Sequence, residues 1–353
     1  MNDLQFIYKI DSSIFYRRER KKVVRYLGSK TLLLENILNL CNEYKNGFFC
    51  DPFGGIGTVG SFMKKNGFHV ISSDVLQFPY FFQYSLIERS RDCDFLELKH
   101  YLGVKSLEDI EIILSNLKED KGWLIQEYSQ KRLFFSKENA YIIQGCINSI
   151  DLWYKKKLIN DNERKVLLAS LINSSDKVAN TAGTYYAHLK QLDRRAAKKF
   201  KFSVLHCTKG PKSYSFNIDA EQVVKRGKCD VLYLDPPYNE RNYAAYYHLP
   251  ETIATGCVPI PKGKSGIYRA NKYLSAFNKK DIATKAFEKI VRNASCKCII
   301  FHYTDTGLID MNDARDILSS VGDIVIDYYI DSKGYNTFCN SKKNLHHILK
   351  CYI

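Results

Sequence analysis

The chain has 353 residues, of which 53 are Lys or Arg and 38 are Asp or Glu, so its formal net charge at pH 7 is +15. Apolar residues make up 45% of the sequence, which excludes a disordered chain and suffices for a substantial core. At ~100–200 residues per domain, the length indicates two units or one elaborated fold. Tyr and Phe are abundant, with 25 and 20 copies. A basic, aromatic-rich globular protein is a candidate for nucleic-acid binding.

No stretch of the chain has the composition of a targeting or membrane segment. The N-terminal residues lack an apolar h-region and a small-residue cleavage site, so we expect no secretory signal. No run approaches the ~18 apolar residues of a membrane span. The 11 cysteines are scattered, with no C-x-x-C and no zinc-ligand spacing. We therefore predict free thiols, no metal site and a reducing cytosolic location.

The first part of the chain predicts a parallel α/β unit. Apolar residues at helical spacing predict a helix over 31–44. Short apolar runs predict strands at 47–51 and 68–74, joined by a helix that ends near Gly67. This order implies parallel strands with a right-handed crossover.

The middle of the chain is predicted to be mainly helical, and the last part returns to α/β. Residues 78–200 show helical periodicity in the segments 107–117, 123–135, 141–153 and 166–172. Strands are predicted at 202–206, 230–235, 297–303, 324–330 and 346–352, with a helix over 279–292. Two α/β parts therefore flank a helical middle.

A glycine-rich turn follows the first predicted strand. Gly55, Gly57 and Gly60 have the spacing of a dinucleotide-binding fingerprint, and Asp74 ends the next strand. An NAD-dependent oxidoreductase is therefore an open alternative. Asp51, however, stands between the strand and the glycines, where its carboxylate would repel a pyrophosphate and attract an ammonium group. S-adenosylmethionine fits better, with Asp51 for its amino group and Asp74 for its ribose hydroxyls.

The most informative stretch is a buried run at 231–234 that leads directly into Asp235, Pro236, Pro237 and Tyr238. The two prolines rigidify the turn and leave the Pro236 carbonyl without a ladder partner. The Asp235 carboxylate and this carbonyl then form a fixed pair of acceptors, which suits an exocyclic NH₂ group. Tyr238 offers a flat face for a purine. We predict Asp235, Pro236 and Tyr238 as the catalytic residues.

Together these motifs resemble the alpha, Dam-like class of DNA adenine-N6 methyltransferases, and more narrowly the FokI-type modification methylases. The resemblance lies in residues 25–30, 51–57, 235–243 and 247–252, which follow the family's order. Asn242 stands where the subfamily has glutamine. The resemblance implies an α/β, Rossmann-like S-adenosylmethionine-dependent methyltransferase fold with a mostly helical inserted target-recognition domain. The implied division is a first catalytic part at 1–84, the insert at 85–200 and a second catalytic part at 201–353.

The resemblance also supplies cofactor positions, which join those argued from the residues. The predicted S-adenosylmethionine site consists of Tyr26, Lys30, Asp51, Phe53, Gly55, Asp74, Asp219 and Asp235. Lys30 suits the carboxylate of the cofactor. Asp219 could equally be a helix N-cap.

The positive charge is concentrated in two regions. Residues 176–216 hold nine Lys or Arg against two Asp, a net +7, and residues 17–30 have a net charge of +6. Basic side chains suit DNA phosphates, although a solvated basic helix face is the alternative. The predicted DNA-binding residues are Tyr185, Lys190, Arg194, Arg195, Lys198, Arg241 and Tyr243.

The sequence therefore predicts methyl transfer from S-adenosylmethionine to adenine N6 in double-stranded DNA, with the target base flipped out of the duplex. Alternatives are methylation of cytosine N4 or of RNA adenine, the NAD-dependent oxidoreductase, and a non-catalytic DNA-binding protein. We expect a monomer in a prokaryotic cytoplasm, functionally paired with a restriction endonuclease.

Overall fold

The computed structural model describes residues 8–9, 24–258, 260–267, 275–331 and 345–353, with the backbone alone at 8–9, 324–326, 328–331 and 345. The strands are β1 (Tyr8–Lys9), β2 (Phe48–Asp51), β3 (His69–Ser73), β4 (Tyr214–Phe216), β5 (Val231–Leu234), β6 (Cys298–Thr304), β7 (Ile324–Asp331) and β8 (Leu345–Tyr352). They form one sheet in the order β1-β7-β8-β6-β5-β2-β3-β4.

Thirteen helices are described around and beside this sheet. They are α1 (Leu34–Cys41), α2 (Thr58–Lys65), α3 (Gln77–Gln83), α4 (Leu96–Leu102), α5 (Leu107–Asn116), α6 (Trp123–Ile125), α7 (Lys137–Lys155), α8 (Asp161–Asp176), α9 (Ala220–Val224), α10 (Tyr243–Tyr246), α11 (His248–Thr255), α12 (Lys280–Asn293) and α13 (Met311–Ser319). Single π-helical turns follow α3 and α6.

The sheet has its topological switch point between β2 and β5. Strand β2 pairs in parallel with both β3 and β5, and β5 pairs in parallel with β6. Only β8 runs antiparallel to its neighbours, β6 and β7, among the described strands. In open α/β sheets, ligands bind outside the carboxyl ends of the strands at such a point. Asp51 ends β2 and Asp235 follows β5, so both carboxylates lie there.

Burial on both faces explains why β5 and the first four residues of β6 are continuous apolar runs. Every residue of β5 is buried. Val231 and Tyr233 pack in the core beneath α1 and α2, whereas Leu232 and Leu234 pack in the core beneath α12. This alternation holds the sheet rigid directly under the Asp-Pro-Pro-Tyr turn.

The helical middle has its own core, which extends into the catalytic segments. Residues of α3 to α8 share one apolar cluster with Leu249 and Ile253 of α11. Helices α3, α8 and α11 also contact one another. The division at 84 and 200 stays a prediction, and helix α11 couples the helical part to the segment after the catalytic turn.

Most predicted elements are confirmed, including the α/β class, the helical middle and the strands corresponding to β2, β3, β5, β6, β7 and β8. The predicted strand at 202–206 is wrong: this segment has no regular secondary structure and joins no sheet. Its amides donate to side chains instead, Val204 to Glu111 at 2.7 Å and Leu205 to Ser170 at 2.9 Å. Side chains of α5 and α8 thus accept the backbone hydrogen bonds that a neighbouring strand would otherwise accept.

The helical prediction for 78–200 holds only as far as the end of α8. Residues 177–213 contain turns and an isolated bridge between Thr181 and His188, with no α-helix. The basic region therefore lies on a loop, not on a helix face. The sequence did not predict β1, β4, α10, α11 or α13, most of which are short, and it indicated α9 only through the N-cap alternative for Asp219. In the part of the chain that the structure describes, no helix combines the length and apolar character of a membrane span.

Candidate active site

The catalytic turn is tied to the N-terminal motif by an ion pair. The Nζ atom of Lys30 lies 2.6 Å from Oδ2 of Asp235 and donates to the Gly28 carbonyl at 2.9 Å. Lys30 is only 5% exposed. Burial raises the pKa of Asp235, and the Lys30 ammonium acts against that rise. The other carboxylate oxygen of Asp235, Oδ1, has no hydrogen-bond partner among the described residues, so it can accept a hydrogen bond from a ligand.

Asp51 presents a second buried carboxylate at the switch point. Its side chain is 2% exposed, and its Oδ1 atom has no partner among the described residues. Burial and the nearby Asp235 raise the pKa of Asp51 to about 8, while the Phe53 amide and Lys30 oppose the rise. A cationic group bound here would satisfy the oxygen and favour the ionised carboxylate.

The glycine turn is shaped by Tyr26. Gly55 has φ +50°, and a Cβ atom placed on it would lie 2.7 Å from Cε1 of Tyr26. Tyr26 itself stacks on Tyr247, with ring centroids 4.9 Å apart, and the Tyr247 hydroxyl accepts a hydrogen bond from the Leu27 amide at 2.6 Å. The turn can therefore approach a ligand only because position 55 carries no side chain.

Asp74 follows β3 at the next corner of the sheet. The Leu76 amide donates to its Oδ1 at 2.9 Å, and burial raises the pKa of Asp74 to about 7. Next to it, the buried Glu251 accepts hydrogen bonds from the amides of Gln77 and Phe78 at 3.0 and 2.9 Å. Glu251 thus caps α3 and fixes the chain after Asp74. Glu251 was included in the sequence prediction only within the family-like segment 247–252, and its positioning role was not predicted.

The remaining predicted cofactor residues, Asp219 and Phe53, line the same cavity. Asp219 accepts a hydrogen bond from the Gln222 amide at 2.9 Å and caps α9, so the N-cap alternative describes its contact in this structure. Phe53 packs edge-to-face on Phe277 with centroids 5.1 Å apart. The sequence gave no signal for Phe277, because it precedes α12 in a segment without a motif.

Tyr238 and Tyr243 lie where the catalytic turn meets the N-terminal motif. A Cβ atom on Gly28, which has φ +76°, would lie 3.0 Å from the Tyr238 hydroxyl and 3.7 Å from the Tyr243 hydroxyl. The Lys30 ammonium lies 5.5 Å from the Tyr238 ring centroid. These contacts hold the Tyr238 ring beside Asp235.

One cavity of about 590 Å³ joins these elements. It is lined by every predicted cofactor and catalytic residue and by Tyr243, namely Tyr26, Lys30, Asp51, Phe53, Gly55, Asp74, Asp219, Asp235, Pro236 and Tyr238 with Tyr243. The structure therefore brings together residues from both halves of the chain. Their individual roles stay predictions.

The predicted DNA-binding residues divide into exposed and buried groups. Lys190, Arg194, Lys198 and Arg241 are exposed. Arg195 instead holds the loop together, since its guanidinium donates to the carbonyls of Ala179 and Thr181 at 3.0 and 3.4 Å and to Asp193 at 3.3 Å. The exposed group is available to phosphates, and Arg195 is largely committed to its own loop.

The burial of Tyr185 corrects its predicted role as a DNA contact. Its side chain is 2% exposed and packs in the helical core. Burial and the nearby Asp176 raise the pKa of Tyr185, and Asp176 forms an ion pair with Arg25 of the N-terminal motif at 3.0 Å. Tyr185 thus anchors the loop and cannot reach DNA without leaving the core. The basic run at 17–22 lies outside the described residues.

Comparison with known proteins identifies the family of the chain. Residues 26–312 match the family model of D12 class N6 adenine-specific DNA methyltransferases. The chain is 34% identical over 313 residues to the type II methyltransferase M.FokI of Planomicrobium okeanokoites, a match that covers 85% of this chain and 47% of that protein. It is 33% identical over 315 residues to the type II methyltransferase M.NlaIII of Neisseria lactamica, with 85% and 89% covered. The modification methylase StsI of Streptococcus sanguinis is 31% identical over 322 residues, with 88% and 48% covered.

The chain therefore spans about half the length of the FokI and StsI relatives and most of the NlaIII relative. The family match includes the glycine turn, the Asp-Pro-Pro-Tyr turn and the helical insert between them, which an NAD-dependent oxidoreductase would leave unexplained. The chain belongs to the D12 class of N6 adenine-specific DNA methyltransferases.

Proposed function

We propose that this chain transfers a methyl group from S-adenosylmethionine to the N6 atom of adenine in double-stranded DNA. The observation that carries the proposal is the free Oδ1 atom of Asp235, next to the Pro236 carbonyl in the cavity that also holds Asp51 and Asp74. An acceptor pair for an amino group thus shares one cavity with carboxylates that suit a cationic, ribose-bearing molecule.

The donor set fits S-adenosylmethionine. The unpartnered oxygen of Asp51 suits the ammonium group, and Asp74 suits the ribose hydroxyls. Lys30 can reach a carboxylate from its place beside Asp235, and Phe53 supplies an apolar wall. When bound there, S-adenosylmethionine would supply the methyl group as an electrophile attached to its sulfonium.

The protein's own groups would raise the reactivity of the amine. The N6 lone pair is delocalised into the ring, so the free amine is a poor nucleophile. Hydrogen bonds from NH₂ to Asp235 Oδ1 and the Pro236 carbonyl favour a tetrahedral nitrogen and stabilise the positive charge that develops there. Holding N6 in line with the methyl group contributes further. Because the base lies inside a duplex, it must be flipped out, and Tyr238 would stack on it.

The pairing with a restriction endonuclease and the monomeric state are parts of the same proposal. The relatives M.FokI and M.NlaIII are named type II methyltransferases, which supports a modification role. Methylation of cytosine N4 would be a distinct outcome of the test.

The test is to express the chain in a methylation-free host and to map modified bases in the host DNA at single-base resolution. We expect N6-methyladenine in one short sequence context. The Asp235→Ala variant should bind DNA with unchanged affinity and transfer no tritiated methyl. Glu240→Gln, an exposed carboxylate in the same loop, is the matched control and should stay active. Unmodified adenine with folded wild-type protein, or full activity of Asp235→Ala, would overturn the proposal.

A further inference from the structure

Three side chains outside the cavity form a stack on the surface. The rings of Tyr186 and Tyr246 lie 4.7 Å apart between centroids at an interplanar angle of 22°. The Arg241 guanidinium lies 5.9 Å from the Tyr246 ring centroid. Tyr186 is 48% exposed, so its ring is still accessible to another flat group. We name Tyr186, Tyr246 and Arg241 the stacking cluster.

The hairpin that carries Tyr186 is held rigidly. Thr181 pairs with His188, the Ala182 amide donates to Ala187 at 3.2 Å, and the Leu189 amide donates to Asn180 at 3.1 Å. Tyr185, the neighbour of Tyr186, is buried in the helical core. One tyrosine therefore anchors the hairpin, and the next lies on the surface against α10.

The other half of the stacking cluster is fixed to the catalytic turn. The Asn242 side chain accepts a hydrogen bond from the Ala244 amide at 2.9 Å and caps α10. The Asn278 side chain donates to the carbonyls of Asn239 and Arg241 at 2.8 and 3.0 Å. This loop directly follows Tyr238, so the stacking cluster cannot lie far from the cavity mouth.

The charge next to the stacking cluster suits nucleic acid. Lys190, Arg194 and Lys198 are exposed on the loop that continues from the hairpin. Aromatic rings with arginine beside a basic track are a combination that holds unstacked bases, since every base has a π-face and the cations take the phosphates. An extruded adenine leaves such unstacked bases behind it in the duplex.

We propose that the stacking cluster is a subsite for a DNA base adjacent to the extruded adenine, with Tyr186 stacking on that base. The inference rests on the proposed function, because only base extrusion exposes the face of a neighbouring base. It adds a second aromatic contact, on the hairpin, to the predicted stacking of the target on Tyr238. It also gives the exposed surface of Tyr186 a function.

The direct test is Tyr186→Trp with fluorescence as readout. The native chain has two tryptophans, and the wild type supplies their background. We expect the added signal to be quenched by a short duplex that carries the site mapped in the methylation experiment, and not by a scrambled duplex. Tyr101→Trp is the matched control, because Tyr101 is 51% exposed and also has a cation, Lys156, 5.3 Å from its ring; its signal should not change.

A second measurement separates stacking from folding. Tyr186→Ala and Tyr246→Ala should each raise KM for the duplex roughly ten-fold and leave the Kd for S-adenosylmethionine unchanged, whereas Tyr186→Phe keeps the ring and should behave as wild type. An unquenched Tyr186→Trp that binds the duplex, or equal effects of Ala and Phe, would overturn the stacking proposal while wild-type methylation stands. If the wild type methylates no adenine, the proposed function itself fails.

Discussion

The ammonium of Lys30 lies 2.6 Å from the carboxylate of Asp235, although the two residues come from opposite halves of the chain. This pair places a fixed positive charge beside the acceptor that the proposed reaction needs. Burial alone raises the pKa of Asp235, and Lys30 keeps the ionised form accessible. Lys30 would then have two tasks, at the cofactor and at the catalytic carboxylate.

Replacing Lys30 with Met should therefore lower the rate and change its pH dependence. Without the ammonium the pKa of Asp235 rises further, so less of the carboxylate is ionised at neutral pH and the rate maximum moves to higher pH. We expect a loss on the order of 10²-fold in single-turnover methyl transfer at pH 7, with partial recovery towards pH 9. Lys65→Met, at an exposed position in α2, is the control. A loss that does not vary with pH would contradict the electrostatic role.

The buried carboxylate of Asp51 should lower the stability of the cofactor-free protein while it favours cofactor binding. Its pKa in the folded chain is about 8, above the ordinary carboxyl value, so the folded state holds this proton more tightly than the unfolded state does. Its contribution consequently destabilises the cofactor-free fold progressively as pH rises from about 4 to about 8. Asp51→Asn removes that cost and should raise the free energy of unfolding at pH 8, by about 1–3 kcal/mol.

The same substitution should abolish stabilisation by S-adenosylmethionine, because the neutral amide cannot pair with an ammonium. In the wild type, cofactor binding should release protons between pH 6 and 8, which calorimetry in buffers of different ionisation enthalpy measures. Thermal unfolding with and without cofactor gives the stability part. Binding by Asp51→Asn with wild-type affinity would show that another group takes the ammonium.

Gly28 offers a test of how the catalytic turn is shaped. Gly28→Ala adds a Cβ atom 3.0 Å from the Tyr238 hydroxyl at φ +76°, so we expect both backbone strain and a displaced Tyr238. Gly103→Ala is a matched control, because Gly103 has φ +67° and nothing within 4 Å of an added Cβ. Both variants should lose about 1 kcal/mol of stability, and only Gly28→Ala should lose methyl transfer. Equal methyl-transfer activities of the two variants would show that the position of Tyr238 does not affect the reaction.

How far the sequence predicted this site depends on whether a residue's role is set locally. Asp51, Asp74 and Asp235 each lie at the carboxyl end of a strand. Parallel strands present these ends at one edge of the sheet, so the convergence of the three carboxylates could be predicted. Glu251 could not be placed in the same way. Its contact with the amides after Leu76 depends on α11 packing against α3, which no local spacing encodes.

The errors have the same origin. The segment 202–206 was predicted as a strand, but side chains of α5 and α8 accept its backbone hydrogen bonds. Tyr185 and Tyr186 are neighbours of the same type, and tertiary packing alone buries the first and exposes the second. The positive charge of the basic loop was evident from the sequence. That Arg195 donates to the carbonyls of Ala179 and Thr181 within this loop depends on the folded backbone and could not be predicted.

In the basic loop, substitutions that affect DNA binding can be distinguished from substitutions that affect stability. Arg194 and Lys198 are exposed, so the double variant Arg194→Ala, Lys198→Ala should weaken DNA binding and reduce the slope of log affinity against log salt by about 2, with unchanged thermal stability. Lys45→Ala, Lys228→Ala removes the same charge at the opposite, amino-terminal edge of the sheet and should leave the slope unaltered. Arg195→Ala should instead lower the melting temperature, because three contacts of its loop are lost. Binding titrations at several salt concentrations with thermal unfolding measure both effects, and equal slopes for the two double variants would place the DNA elsewhere on the molecule.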